Sequence, residues 1–243
     1  MYNGKILTFL WHAANSDLRV LCDIVTKEKD GSFRATETLS STYLYSRCYP
    51  DSIRQMLPEL FHEFRLFGGN SVLNFFRGEG PEYSMILRDV ARKCGLSFNT
   101  RRTDEDIELL LLDKLISDSL DGASDDELKQ IMVELKVPAI RFNRVKAVRS
   151  LKTLWVSGSK PGYLLMVSVV TAVISQLAGK GLTIALSSTL VPVASVLLGP
   201  VGLILTSLYC VMDVAGPAYR VTIPAVIQIS YIRQKYKFEL LKK

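Results

Sequence analysis

Apolar residues along this chain recur mostly at helical spacing, and strand alternation is scarce. Ile6 to Trp11 reads as one short helix, and Ser16-Asp17 caps a second whose inward face is Leu18, Leu21, Ile24 and Val25. Lys29-Asp30-Gly31 then turns the chain. Pro58 fits the first turn of a helix facing inward with Leu60, Phe61, Phe64 and Phe67, and Gly68-Gly69 stops it. Asn70-Ser71 caps a short helix bearing Val72, Leu73, Phe75 and Phe76, which Arg77-Gly78-Glu79-Gly80 ends. Pro81 opens the next, with Tyr83, Ile86, Leu87, Val90 and Cys94 on a single stripe. Thr103 with Asp106, and Ser124 with Glu127, have the spacing of capping boxes. They precede the faces Ile107, Leu110, Leu111, Leu115 and Leu128, Ile131, Met132, Leu135, and Pro138 stops the second. The pattern predicts an all-α protein: a small helical domain at 1–48 and an acidic helical bundle at 49–137, with about six or seven short amphipathic helices between them, then a basic and apolar helical region at 138–243.

After residue 160 the periodic pattern gives way to a block that is apolar all round. From Pro161 to Met212, 52 residues carry one formal charge, Lys180. As a helix, Pro161–Gly179 would extend about 28 Å, close to the ~30 Å hydrocarbon core of a bilayer. Pro192 and Gly199-Pro200 divide the block into pieces near Tyr163–Ala178, Leu182–Leu198 and Val201–Ala215. The hydroxyls of Thr183, Ser187, Ser188, Thr189 and Ser195 suit close helix contact better than surrounding lipid.

Two outcomes fit this block, a helical hairpin at 161–215 that associates with a bilayer and a core buried within a soluble helical protein. In the first, Leu164, Leu165, Val169, Val173, Ile184, Leu197, Leu198 and Leu203 are the residues expected to touch membrane or client. Asp213 and Arg220 then either pair across Gly216-Pro217 or reach solvent at a loop. A last helix begins near Pro224 and ends at Arg233.

Composition sharpens this division. A chain of 243 residues, 48% hydrophobic and 22% charged, is not disordered. Its mean hydropathy of +0.19 is high beside 30 Lys and Arg and 24 Asp and Glu, and the apolar block accounts for it. The net charge of +6 conceals opposed halves: 1–134 holds 16 basic and 22 acidic residues, while 135–243 holds 14 and 2. Arg141, Arg144, Lys146, Arg149, Lys152 and Lys160 precede the apolar block, and Arg233, Lys235, Lys237, Lys242 and Lys243 follow it. Cations flanking an apolar block suit anionic lipid headgroups. A solvated basic helix with a basic tail is the plainer alternative. Nucleic acid, which clustered cations also bind, is the least favoured partner.

Candidate chemistry is sparse. The N-terminal apolar run is short for an export signal and no cleavage site follows it, so cytoplasmic, reduced thiols are expected at Cys22, Cys48, Cys94 and Cys210. His12 and His62 lack the neighbours of a metal site, and neither metal nor cofactor is expected. Gly78-Glu79-Gly80 places a carboxylate where a phosphate would sit, and Asp125-Asp126-Glu127 suits a helix N-terminus. With no nucleophile motif either, the reading is non-enzymatic.

Three runs carry a family resemblance: Phe67-Gly68-Gly69-Asn70-Ser71; Arg77-Gly78-Glu79-Gly80 with Tyr83, Ile86-Leu87 and Asp89-Val90; and Ala215-Gly216-Pro217-Ala218-Tyr219-Arg220-Val221-Thr222-Ile223-Pro224-Ala225-Val226-Ile227-Gln228-Ile229. Over most of its length the chain resembles the YaaW-like family of uncharacterised bacterial proteins, grouped with ubiquinol–cytochrome c reductase assembly chaperones. The Asp17-Leu18 helix followed by Asp30-Gly31, Arg34 and Thr36-Glu37 looks like the small domain that often begins such proteins. The resemblance implies an α-helical protein with a chaperone-like label and no catalytic residues to transfer. The combined expectation is a protein whose acidic module binds a partner or regulates, while its apolar hairpin associates with the bacterial inner membrane, as a stress or pore-forming effector would. The alternative is a soluble assembly factor holding a membrane-protein client, and oligomers are compatible with either.

Overall fold

The structure, a computed structural model, describes residues 8–68, 80–138, 141–178, 192–202 and 218–241. Among these residues the fold is all-α, with ten α-helices, three 3-10 turns, one isolated bridge between Lys27 and Phe33, and no strand. The helices are α1 (Asn15–Thr26), α2 (Tyr43–Cys48), α3 (Leu57–Leu66), α4 (Tyr83–Lys93), α5 (Asp104–Gly122), α6 (Asp125–Glu134), α7 (Arg144–Val156), α8 (Lys160–Ala178), α9 (Pro192–Gly202) and α10 (Tyr219–Leu240).

Local chemistry sets several boundaries where the sequence places them. Both capping boxes form: Asp106 N–H donates to Thr103 Oγ1 at 3.2 Å, and Ser124 N–H donates to Glu127 Oε2 at 2.7 Å. Each N-cap contributes roughly 1 kcal/mol. Pro58 sits in the first turn of α3, where its missing N–H leaves no helical bond unmade. Helix α1 differs, because it begins at Asn15 and Ser16-Asp17 lies inside its first turn. The Asn15 side chain instead ties the helix start to the next segment, donating to Pro50 O at 2.9 Å and accepting from Ile53 N–H at 2.9 Å.

The centre of the molecule is α10. Residues 221–232 are buried without interruption, and the helix packs against α1, α3, α4, α5 and α8. One core therefore runs through all three stretches of sequence, and the boundaries at 48 and 137 fall between elements that share it. Arg233 does not end α10, which continues to Leu240 because its last two turns find partners on other helices, described below. Pro192 opens α9 and Gly199-Pro200 lies within that helix, so the predicted break at this dipeptide does not occur.

Helix α8, the first piece of the apolar block, packs into the core. Leu165, Met166, Val169, Val173 and Ile174 are fully buried among α5, α7 and α10. Its corner with α7 is tight: a Cβ on Gly162 would lie 2.0 Å from the Leu154 carbonyl oxygen. Ser159 Oγ donates to that same oxygen at 2.9 Å. Gly162→Ala is therefore expected to cost about 3 kcal/mol of unfolding free energy, the upper end of overpacking, measured as a lowered urea midpoint at constant slope. An unchanged midpoint would mean that α7 and α8 are free to separate.

Candidate functional site

The group of side chains that draws the two halves together lies along the buried flank of α10. Glu108, on the inward face of α5, is 0% exposed, and the side chain of Arg233 on α10 is 15% exposed. Arg233 Nε and Nη2 donate to Glu108 Oε2 and Oε1 at 2.5 and 3.1 Å. The Tyr83 hydroxyl, from α4, donates to Glu108 Oε1 at 2.7 Å. The Phe9 ring lies 4.1 Å from the guanidinium carbon, and Phe61 and Phe64 flank Tyr83.

Burial pushes the Glu108 carboxyl above its ordinary range, against the lowering effect of its bonds to Arg233 and Tyr83. Burial, followed by the nearby Glu108 charge, holds the Tyr83 hydroxyl well above its usual value, so it remains a donor. Both Glu108 oxygens are thus engaged, and the geometry is that of a clamp between α4, α5 and α10.

The clamp continues along the helix. Lys235 Nζ donates to Asp17 Oδ2 at 2.8 Å, Gln228 Nε2 to the Asp17 carbonyl at 3.0 Å, and Lys237 to Glu105. At the other end, the Tyr219 hydroxyl donates to Asp89 Oδ2 at 2.5 Å. His12 stacks on Tyr236 and Tyr163 on Phe238.

These contacts place many of the sequence-singled residues. Tyr83, Asp89, Tyr219 and buried Pro224 gather around α10, so the second and third motif runs meet in space. Arg65 donates to the carbonyls of Gly80 and Pro81, and a Cβ on Gly80 would sit 2.0 Å from Arg65 O. Gly68 backs onto the Ile86 side chain, 2.6 Å from where a Cβ would be. Arg220 is exposed. Gly69, Asn70, Arg77, Gly78, Ile184, Leu203, Asp213, Gly216 and Pro217 lie outside the described residues, and with them the Asp213–Arg220 pairing.

Of the apolar residues expected at membrane or client, Leu165, Val169, Val173 and Leu197 face the core, Leu164 is half-buried and Leu198 is exposed. Five of the eight cations expected at lipid are bonded to carboxylates of the acidic half: Arg144 to Asp125, Lys152 to Asp121, Arg233 to Glu108, Lys235 to Asp17 and Lys237 to Glu105. Arg141, Arg149 and Lys160 remain exposed.

Sequence reasoning missed Glu108. The available signal was a carboxylate on the buried stripe of Ile107, Leu111 and Leu115, where a lone charge requires a partner. Among the described residues no three His, Cys, Asp or Glu side chains converge as metal ligands. Cys22, Cys48 and Cys94 are buried and unbridged, and burial pushes the Cys94 thiol up to about 12.

No family model matches the chain, and no solved structure matches it. A UPF0174 protein of Helicobacter pylori (strain J99) is 36% identical over 230 residues, covering 94% of this chain and 90% of that one. The UPF0174 protein YaaW of Escherichia coli (strain K12) is 31% identical over 234 residues, 96% of this chain and 94% of that one. Neither name carries an assembly-chaperone label, and the grouping with those chaperones is not supported. Identity at these levels runs across nearly the whole of both chains, and the chain therefore belongs to the UPF0174 family.

Proposed function

We propose that this is a non-enzymatic bacterial protein that carries a membrane-active helix, α8, folded inside its own core and delivers it to the inner membrane. Helix α10, held down by carboxylates of the acidic half, is the cover that keeps it soluble in the cytoplasm until then. The observation that carries the reading is the character of α8 itself. It is 19 residues long, with a mean hydropathy of 1.6 in its most apolar window, of which 67% is buried. At about 28 Å it matches a bilayer core, and a helix apolar all round belongs either inside a protein or inside a membrane. The sequence beyond it, 181–212, adds 32 further uncharged residues, more than one core helix requires.

The α10 clamp supplies the cover. It holds the helix lying over α8 to carboxylates of α1 and α5, so release of α8 is coupled to breaking buried ion pairs. An assembly-factor role would need apolar side chains turned outward, whereas Leu165, Val169, Val173 and Leu197 are turned inward.

The test is reconstitution of the full chain with phospholipid vesicles. The expected result is recovery with the vesicles after carbonate extraction, together with lipid-dependent protease protection of a fragment spanning 161–178. Complete extraction with no such protection would overturn insertion and leave α8 as a core helix.

A further inference from the structure

We propose that the outward face of α7 is the surface on which the folded protein docks to an anionic phospholipid bilayer. The inference rests on the membrane reading above and names the lipid class and the contact that precedes any insertion. Val145, Arg149, Lys152 and Val156 fall at i, i+4, i+7 and i+11, forming one stripe about 16 Å long. Val145 is 65% exposed and Val156 77%, two branched apolar side chains that the fold leaves in water. They line an open groove of about 550 Å³ with Val148 and Arg149.

The charge around this stripe is one-sided. No carboxylate occurs between Lys136 and Met212, so acid reaches the groove only from neighbouring helices. Asp121 and Asp125 do so, and each is already bonded, to Lys152 at 2.9 Å and to Arg144 at 3.0 Å. Arg141, Lys146, Arg149 and Lys160 are exposed and make no ion pair among the described residues. Cations interleaved with exposed valines match the headgroup–acyl boundary, where long basic stems reach phosphate and short apolar groups reach the acyl chains. A nucleic acid would satisfy the cations but press both valines against phosphate.

Position supports the same assignment. Val156 ends α7 four residues before Lys160 begins α8. Tyr163, one turn into α8, stacks on Phe238 at 4.0 Å and so brings the last turn of α10 to this corner, where Leu241 is 86% exposed. A molecule lying on α7 therefore presents the start of α8 to the membrane surface.

The experiment is sedimentation of the full chain with phosphatidylcholine vesicles, with and without phosphatidylglycerol. Wild type is compared with Arg141→Gln, Lys146→Gln, Arg149→Gln and Lys160→Gln singly and combined, and with V145D and V156D. All six positions are exposed, and an unchanged thermal midpoint confirms folding. Binding is expected only to the anionic vesicles, weakened about fivefold per cation removed and reduced by salt. The aspartate variants are expected to bind more weakly as well.

If the combined variant binds like wild type, docking through α7 is overturned while the membrane reading stands. If wild type binds neither vesicle, the membrane reading itself fails. Cation-dependent binding that carbonate fully reverses upholds docking and overturns insertion. Tighter binding to a duplex oligonucleotide than to anionic vesicles, with the same dependence on Arg149, would reassign the face to nucleic acid.

Discussion

Arg233→Met is expected to lower the unfolding free energy by about 3 kcal/mol, read from denaturant unfolding at neutral pH. The substitution keeps an apolar stem of similar reach and removes the guanidinium. It leaves the Glu108 carboxyl fully buried, with no cation beside it. Breaking a buried pair by deleting one partner typically costs about 3–5 kcal/mol, because the remaining charge has lost its water and its counterion. The lower end applies here because the Tyr83 hydroxyl still donates to Glu108, and the carboxyl, already raised by burial, escapes part of the cost by taking up a proton. The paired replacement Glu108→Leu with Arg233→Met should recover most of the loss, since two apolar groups leave nothing unsatisfied except the Tyr83 hydroxyl. A cost under about 1 kcal/mol for Arg233→Met would show that the pair is solvated and that α10 is held by packing alone.

The pH dependence of the clamp follows from the same burial. The Glu108 carboxyl is raised, so the folded protein takes up its proton at a higher pH than the unfolded chain does. The stability this group contributes is therefore fully present below its unfolded pKa and is lost as pH rises through the folded value. Acidification does not open the clamp through Glu108. Asp106 and Asp126 behave oppositely. Their hydrogen bonds from Thr103 and Lys129 hold them below the ordinary carboxylate range. Their contribution is present above the unfolded value and lost as pH falls through the lowered one. Mild acid is thus expected to leave α8 covered, and on the proposed function the event that frees it has to break contacts along α10.

What the sequence made legible was local. The Thr103 and Ser124 capping boxes, the Pro58 entry into α3 and the stripe of Tyr83, Ile86, Leu87 and Val90 all involve residues within a few turns of one another. What stayed hidden was non-local. Arg233 looked like the end of a helix because a charge after apolar residues usually meets water. Its partner Glu108 lies 125 positions away and is invisible to any window. The flanking cations pointed to lipid for the same reason, since spacing alone does not reveal Asp17, Glu105, Asp121 or Asp125 beside them. The apolar block was recognised, but hydropathy measures what a helix avoids and not which helices cover it. That decision belonged to α10, whose motif residues stand out in the sequence while the contact of its Tyr219 with Asp89 on α4 does not.

Val169→Asp is expected to unfold the whole chain, including the acidic half. Val169 is fully buried near the middle of α8, among helices α5, α7 and α10. The change forfeits about 1.5–3 kcal/mol of apolar burial and adds the far larger cost of an unpaired carboxylate in the core, together above ~5 kcal/mol. Total stabilities of domains are about 5–15 kcal/mol, so little folded protein should remain by circular dichroism or limited proteolysis. If α8 were a separable hairpin, residues 1–137 would instead stay protease-resistant. The structure argues against that outcome because α10 covers α8 on one side and packs on α1, α4 and α5 on the other. The two large effects are therefore linked: what destabilises α8 in the core releases α10, and what loosens the clamp at Glu108 uncovers α8. On the proposed function, Arg233→Met should then increase carbonate-resistant recovery with vesicles while remaining folded in their absence.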